Sequence, residues 1–372
     1  MLQKFKNLSR RFLVFVNIVA ALSFLIGCYA YLFSPEKYWI IGAFALTSFY
    51  FLILLLLFLL FWILVRSKFF LISLVSIIVA WNPIQHLIQL NFSSNFKQFK
   101  DSSSIRIMSW NIEHFEITKQ TKQPEKRKSM FEVINTFSPD VACFQEVVAT
   151  SDNPDATNYI PDIMKKLGFS SFHYTYNPRL DFDNTHHFGI AIFSRYPIIN
   201  KKSISYPPHT YNSIFQYADI VKSEDTFRVF NFHLQSLKFN RKNLALINNP
   251  EANNIALKES KSIIGKFRKG LLFRAKQSER IASVIAQSPY PVIVCGDFND
   301  VPNSYAYHTI GDGLQNTFVK KGSGLGRTFY KIAPTLRIDN IFVDKRFKVQ
   351  QFERVKKYIS DHYPVIADLI KE

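Results

Sequence analysis

The chain has 372 residues, 46 of them Lys or Arg against 28 Asp or Glu, for a formal net charge of +18. Three cysteines, Cys28, Cys143 and Cys295, exclude a disulfide framework and a thiolate metal site and read as small buried hydrophobes. The positive surplus favours a polyanionic substrate, an anionic membrane surface, or both. It is unevenly spread. The first hundred residues hold nine basic side chains and one acid, Glu36, whereas the rest hold 37 basic and 27 acidic ones over a length that suffices for one large α/β core.

Three apolar runs come first, and they predict helices over about 13–33, 39–65 and 69–90. The first two are uncharged or nearly so and long enough to cross a bilayer. The first is too long for a signal peptide, and a second span follows at once. The third is interrupted by Asn82, Pro83 and His86, which can kink a spanning helix without ending it. Lys4, Lys6, Arg10 and Arg11 precede the first run, and Arg66 and Lys68 follow the second. Positive loops stay in the cytoplasm. Three spans then place everything beyond about residue 95 outside the cytoplasm, while two spans would leave it inside. Residues 1–92 thus read as a multi-pass transmembrane anchor, 93–103 as a polar, Ser-rich linker, and 104–372 as one folded domain.

That domain opens with a half-buried strand over 105–112 that delivers Asn111, followed by Glu113 and His114. A helix is predicted over 124–137 and a buried strand over 141–148. Glu146 closes that strand, where a carboxylate is costly unless it meets a cation. A helix over 160–167, a strand over 188–193, and a hairpin of 214–221 with 227–234 follow, the last strand carrying His233. Residues 258–276 interleave Lys258, Lys261, Lys266, Arg268, Lys269, Arg274 and Lys276 with apolar positions at helical spacing. This is the look of a helix on an anionic surface, or of an ordinary solvated helix packed on a sheet. Residues 277–286 continue it.

The stretch 291–302 organises the rest. Val292 to Cys295 reads as a strand buried on both faces, ended by Gly296. Asp297 and Asn299 then share one face of the extended chain. A carboxylate there can orient or deprotonate a water, and an amide can donate to a phosphate oxygen; an Asx-rich turn closing a core strand is the plainer reading. A strand over 336–343 holds Asp339 at its centre. Asp361 and His362 sit in a turn before the last strand, 365–369, and Asp339 and His362 form a plausible carboxylate–imidazole pair.

Trp110-Asn111, Gln145-Glu146, Ser194-Arg195-Tyr196-Pro197, Asn231-Phe232-His233, Gly296-Asp297-Phe298-Asn299, Arg337-Ile338-Asp339 and Ser360-Asp361-His362 occur in this order. Together they resemble the motifs of the endonuclease/exonuclease/phosphatase superfamily, over about residues 104–371. The resemblance implies a four-layered α/β/β/α sandwich of two mixed sheets. It implies Mg²⁺ as cofactor, with Mn²⁺ as a substitute, held by Glu146 with Asn111 and Asp361. It further implies that Asp297 activates water, that Asn299 holds a phosphate oxygen, and that His362, paired with Asp339, and His233 act on the transition state. Asn111, His233, Asn299 and His362 would face the phosphate.

The implied function is a membrane-anchored phosphoesterase acting on a nucleic acid or on a phospholipid or other phosphorylated molecule. The anchor is similar to that of membrane-attached bacterial members, which implies an inner or plasma membrane. No obligate protein partner is implied. The alternative is a catalytically inactive extracytoplasmic binding module on the same fold, which the joint presence of all eight site residues disfavours.

Overall fold

The computed structural model describes residues 2–91, 96–114, 124–150, 157–178, 185–206, 213–237, 243 and 256–372. The strands, in chain order, are β1 (Gln89–Leu90), β2 (Ile105–Asn111), β3 (Val141–Ala149), β4 (Ser171–Tyr176), β5 (His187–Ser194), β6 (Ile198–Ser205) and β7 (Ile214–Lys222). They continue with β8 (Asp225–His233), β9 (Val292–Asp297), β10 (Gln315–Asn316), β11 (Ser323–Gly324), β12 (Asp339–Val343), β13 (Phe347–Arg354) and β14 (Val365–Lys371). Two mixed six-stranded sheets result, ordered β13-β14-β2-β3-β5-β4 and β10-β12-β9-β8-β7-β6.

Alternation along the apolar strands explains the layers. Ile107, Val141, Cys143 and Ile192 of one sheet meet Val229, Ile293, Cys295 and Ile341 of the other in a core between the sheets. The alternate residues face outward. Trp110, Phe144 and Phe193 are covered by Met130 and Ile134 of the helix Pro124–Phe137 and Ile163 of the helix Ile160–Leu167. Phe230, Phe232 and Val294 are covered by Ile281 of the helix Ala256–Ile285 and by Tyr307 and Ile310 of the helix Tyr305–Gly311. The predicted sandwich and the burial of Cys143 and Cys295 are therefore present. The basic stretch 258–276 lies within the single helix Ala256–Ile285.

A polar link between the sheets lies just under the strand ends. Asn231 donates to the carbonyls of Phe144 and Ala191 at 3.0 and 2.9 Å and accepts from Gln145 Nε2 at 2.7 Å. These two motif residues thus tie the sheets together.

Before the sandwich, helices Leu2–Cys28 and Ile41–Leu64 are long and apolar enough to cross a membrane. Gly27 lets them approach: a Cβ there would lie 2.3 Å from the carbonyl oxygen of Phe44. The third apolar run is two helices, Phe70–Val79 and Trp81–Leu87, bent by 73°. The bend starts before Pro83, where the Asn82-Pro83 interruption allows it. β1 then pairs antiparallel with β11.

Residues 96–103, predicted as linker, run against the sandwich. Arg106, only 1% exposed, donates to Asp368 through Nε and Nη2 at 2.7 Å each. Its Nη1 donates to the carbonyls of Gln98 and Phe137 at 2.7 and 2.8 Å. Removing one partner of a buried pair leaves an uncompensated charge costing about 3–5 kcal/mol. Asp368→Asn is therefore expected to lower the unfolding midpoint of the domain by about 10 °C, read by thermal unfolding of the detergent-solubilised chain. An unchanged midpoint would refute the structural role of the pair.

Candidate active site

Register places the chemistry. In the β8–β9 pair His233 stands opposite Asp297, and in the β12–β9 pair Asp339 stands opposite the same residue. Three polar side chains thus form a row across three neighbouring strand ends. In the other sheet, β2 ends at Asn111, whose Nδ2 reaches across to Asp297 Oδ2 at 3.1 Å and to Glu146 Oε1 at 3.2 Å. All eight predicted residues converge, seven of them lining a cavity of about 360 Å³ that also includes Ser236, Leu237, Phe329, Lys331, Ile332, Leu336 and Ile338. Asp339 joins through His362, whose Nδ1 lies 2.8 Å from Asp339 Oδ2.

Asp297 is the centre. Its Oδ2 lies 3.4 Å from His233 Nε2 and 3.8 Å from His362 Nε2, and its Oδ1 accepts the Asn299 N–H at 2.8 Å. Burial and the neighbouring Asp339 push its pKa up to about 6. Burial opposes a charge on His362, but Asp339 and Asp297 outweigh it and hold that imidazole well above its ordinary pKa. The turn carrying His362 is fixed from both sides. Ser360 Oγ donates to the Asn111 carbonyl at 2.8 Å, and Trp110 Nε1 donates to the His362 carbonyl at 2.9 Å.

Three expectations about local structure are corrected. β9 stops at Asp297, and Asn299 has φ 49°, so the two do not lie on one extended face. Asp297 and Asn299 instead form the Asx turn of the plainer reading, and Asn299 Nδ2 donates to the Leu234 carbonyl at 3.0 Å. Both side chains still line the cavity. Asp339 opens β12 rather than sitting at a strand's centre. Thr328 causes this: its Oγ1 accepts the N–H groups of Ile338 and Asp339 at 3.0 Å each, ending the preceding turn.

Glu146 is also displaced from the end of its strand. It sits inside β3 at an irregularity between Gln145 and Val147, with φ 59°. A bulge re-aims a side chain that alternation would send elsewhere. Burial raises its pKa, but His114, His233 and the Asn111 hydrogen bond more than reverse this, and the net shift is downward.

Sequence reasoning did not single out three groups. His114 Nε2 lies 3.1 Å from Glu146 Oε2. Lys331 bridges Asp361 at 2.8 Å and Glu113 at 3.1 Å. Glu113 Oε2 also accepts the Asp361 N–H at 3.1 Å. Glu113 and His114 lie two and three residues beyond Asn111, which was the available signal. Lys331 lies in a turn-rich stretch that carried none.

The donor set suits a hard divalent cation. Glu146, Asp297 and Asp361 line one cleft and Glu113 and Asp339 touch its lining residues, a set of five carboxylates of which Asp297 and Asp339 are buried and which favours a cation among them. Asp297, Asp339 and His362 bring ligand atoms within 4.8 Å of one another, and Asp339 Oδ1 is a buried oxygen with no protein donor.

A family model described as "Endonuclease/Exonuclease/phosphatase family" matches residues 108–362, and one described as "Domain of unknown function (DUF8431)" matches residues 10–87. Solved structures share the fold at low identity. The human Nocturnin catalytic domain is 20% identical, with TM-score 0.51, covering 72% of this chain and 94% of its own. An endonuclease/exonuclease/phosphatase from Bacteroides vulgatus is 20% identical, with TM-score 0.52 and coverages of 72% and 99%. The Bacteroides thetaiotaomicron mannosyl-6-phosphatase Bt3783 is 17% identical, with TM-score 0.50 and the same coverages. No curated protein matches.

The left-handed backbone at Glu146 costs about 1–2 kcal/mol in a residue with a Cβ. Glu146→Gly is therefore expected to raise the unfolding midpoint by about 2–4 °C. A midpoint that falls in calorimetry would mean that the side chain's contacts outweigh the strain.

Proposed function

The chain belongs to the endonuclease/exonuclease/phosphatase family and is a phosphoester hydrolase, and on that premise we propose that it is a multi-pass membrane enzyme requiring Mg²⁺. The observation that carries this reading is the convergence on Asp297 of Asn111, His233 and His362 from three different strands or turns. Glu146 would hold the cation with Asn111 and Asp361. When bound, Mg²⁺ supplies charge that polarises the phosphoryl group.

The chain's own residues do the rest. Asp297, with a pKa near 6, is poised to take a proton from an attacking water. Asn299 and His233 line the cavity where a phosphate oxygen would sit. His362, held through Nδ1 by Asp339, presents Nε2 to stabilise developing charge or give a proton to the leaving oxygen. Nucleic acid and phospholipid are the candidate substrates.

The anchor's exposed surface supports membrane insertion. Phe12, Phe15, Leu22, Leu57, Leu60 and Leu64 stand more than half exposed on two helices of spanning length. Arg10 reaches Ser67 at 3.3 Å and lies over Phe69, which brings this N-terminal charge to the loop that holds Arg66 and Lys68. Glu36 and Lys37, at the opposite end of these helices, adjoin the catalytic domain, where Glu36 pairs with Lys276 at 3.3 Å. The positive end belongs in the cytoplasm, which puts the catalytic domain outside it, in a bacterial-type inner or plasma membrane.

The full chain in detergent should hydrolyse bis-p-nitrophenyl phosphate or p-nitrophenyl phosphate with Mg²⁺ and stop with EDTA. Asp297→Ala and Glu146→Gln are each expected to abolish turnover, and His362→Ala to cost about a hundredfold or more in kcat with little change in KM. Full activity of Glu146→Gln at saturating Mg²⁺ would sink its role as a ligand. A preference for the diester favours a nuclease or lipid phosphodiesterase, and one for the monoester a phosphatase.

A further inference from the structure

The catalytic cleft and the membrane anchor share a wall. Leu336 lines the cavity beside Asp297 and His362, and it also packs into a cluster with Ile41, Ala45 and Leu46 of the helix Ile41–Leu64, together with Ala30 and Val301. Leu237, a second lining residue, presses on Gly270 of the helix Ala256–Ile285, where an added Cβ would lie 2.6 Å from its methyl carbon. The next residue, Leu271, stands in the same relation to Gly42, at 2.7 Å. Arg268 lies over the Trp39 ring at 5.8 Å. The cleft therefore abuts the end of two membrane-length helices, at the level where Trp39 and the basic face of Ala256–Ile285 suit the headgroup region.

The cleft itself is two-sided. Its catalytic groups are polar, but of the seven other lining residues five, Leu237, Phe329, Ile332, Leu336 and Ile338, are apolar, with Ser236 and Lys331 the polar ones. A nucleic acid backbone calls for cations along its track. Among the described lining residues the ammonium is that of Lys331, which Asp361 and Glu113 already hold.

We propose that the substrate is a lipid phosphoester taken laterally from the leaflet beside the catalytic domain. Its phosphate sits at Asp297 and Glu146, and its chain runs along Leu336 towards Ile41 and Leu46. Hydrolysis adds one water across the P–O bond: the attacking oxygen loses its proton to Asp297, and the departing alkoxide takes one from His362. No other co-reactant is needed. This inference rests on the phosphoesterase reading.

The test uses two esters with the same leaving group, on the full chain in phosphatidylcholine nanodiscs with Mg²⁺. One is p-nitrophenyl hexadecyl phosphate dissolved in the bilayer, and the other is p-nitrophenyl methyl phosphate in the buffer. EDTA-sensitive release should favour the hexadecyl ester by about tenfold or more in kcat/KM, equivalent to about 1.4 kcal/mol. Leu336→Gln should collapse that ratio towards one. If this variant is inactive on both esters, Ile332→Gln, on the same wall, takes its place.

Equal rates on the two esters, or hydrolysis of single-stranded DNA with no preference for the tail, would overturn the lipid substrate and leave the phosphoesterase standing. A preference that survives both substitutions would mean that partitioning alone accounts for it, which overturns the path. Hydrolysis of neither ester nor DNA, with p-nitrophenyl phosphate also left intact, would remove the phosphoesterase reading and this inference with it, whereas turnover of p-nitrophenyl phosphate alone would keep the phosphoesterase and overturn this inference.

Discussion

The buried carboxylate of Asp297 is the constraint on which the site depends. It is 1% exposed, at the point where the ends of both sheets meet. A charge there is tolerable only with donors or cations on every side. Register supplies His233 and Asp339 from the flanking strands, the opposing sheet supplies Asn111, and the chain's own turn supplies the Asn299 N–H. Asp339, itself a carboxylate, adds repulsion that raises the Asp297 pKa, while its own charge is met by His362. The geometry that burdens Asp297 thereby raises its pKa above the usual carboxylate range.

Backbone strain gathers at the same place. Glu113, His114, Glu146 and Asn299 all have positive φ between 45° and 59°, and every one of them contacts the cleft or a residue that lines it. Non-glycine residues adopt this conformation at a cost that surrounding structure must over-determine. The tie between Asn231 and Gln145, directly below, offers such a frame: it links the sheets one residue before the Glu146 bulge. Rigidity under the site and strain within it are parts of one arrangement.

The sequence made the central strands legible because they are buried on both faces, as at Val292 to Cys295. Of the strands it left unread, those longer than two residues, β4, β6 and β13, each lie at a sheet edge. β6 runs Ile-Ile-Asn-Lys-Lys-Ser-Ile-Ser with its middle exposed. Such polar, lysine-bearing edges resist further pairing, and the same property hides them from a hydrophobic pattern. The site residues were legible by type and by order along the chain. Their distances were not, since the Glu146 bulge, the Asn299 turn and the Thr328 acceptor depend on register and on contacts far along the chain. Lys331 had no signal at all, because a lysine in a turn is usually solvated.

Arg337 joins the two halves of the molecule. It is a motif residue, yet it is 1% exposed and stacks on Phe318 at 4.0 Å rather than facing the cavity. Its guanidinium donates to the carbonyls of Leu325 and of His86, the latter in the bent helix Trp81–Leu87 of the anchor. Two residues later Asp339 begins the strand that pairs with Asp297. A buried guanidinium that loses an acceptor bears a desolvation penalty, so separating the anchor from the domain would unsettle the segment that carries Asp339. The N-terminal helices are consequently packed into the structure around Asp339 rather than merely preceding it, since Trp81–Leu87 and the segment that carries Asp339 share one contiguous set of contacts.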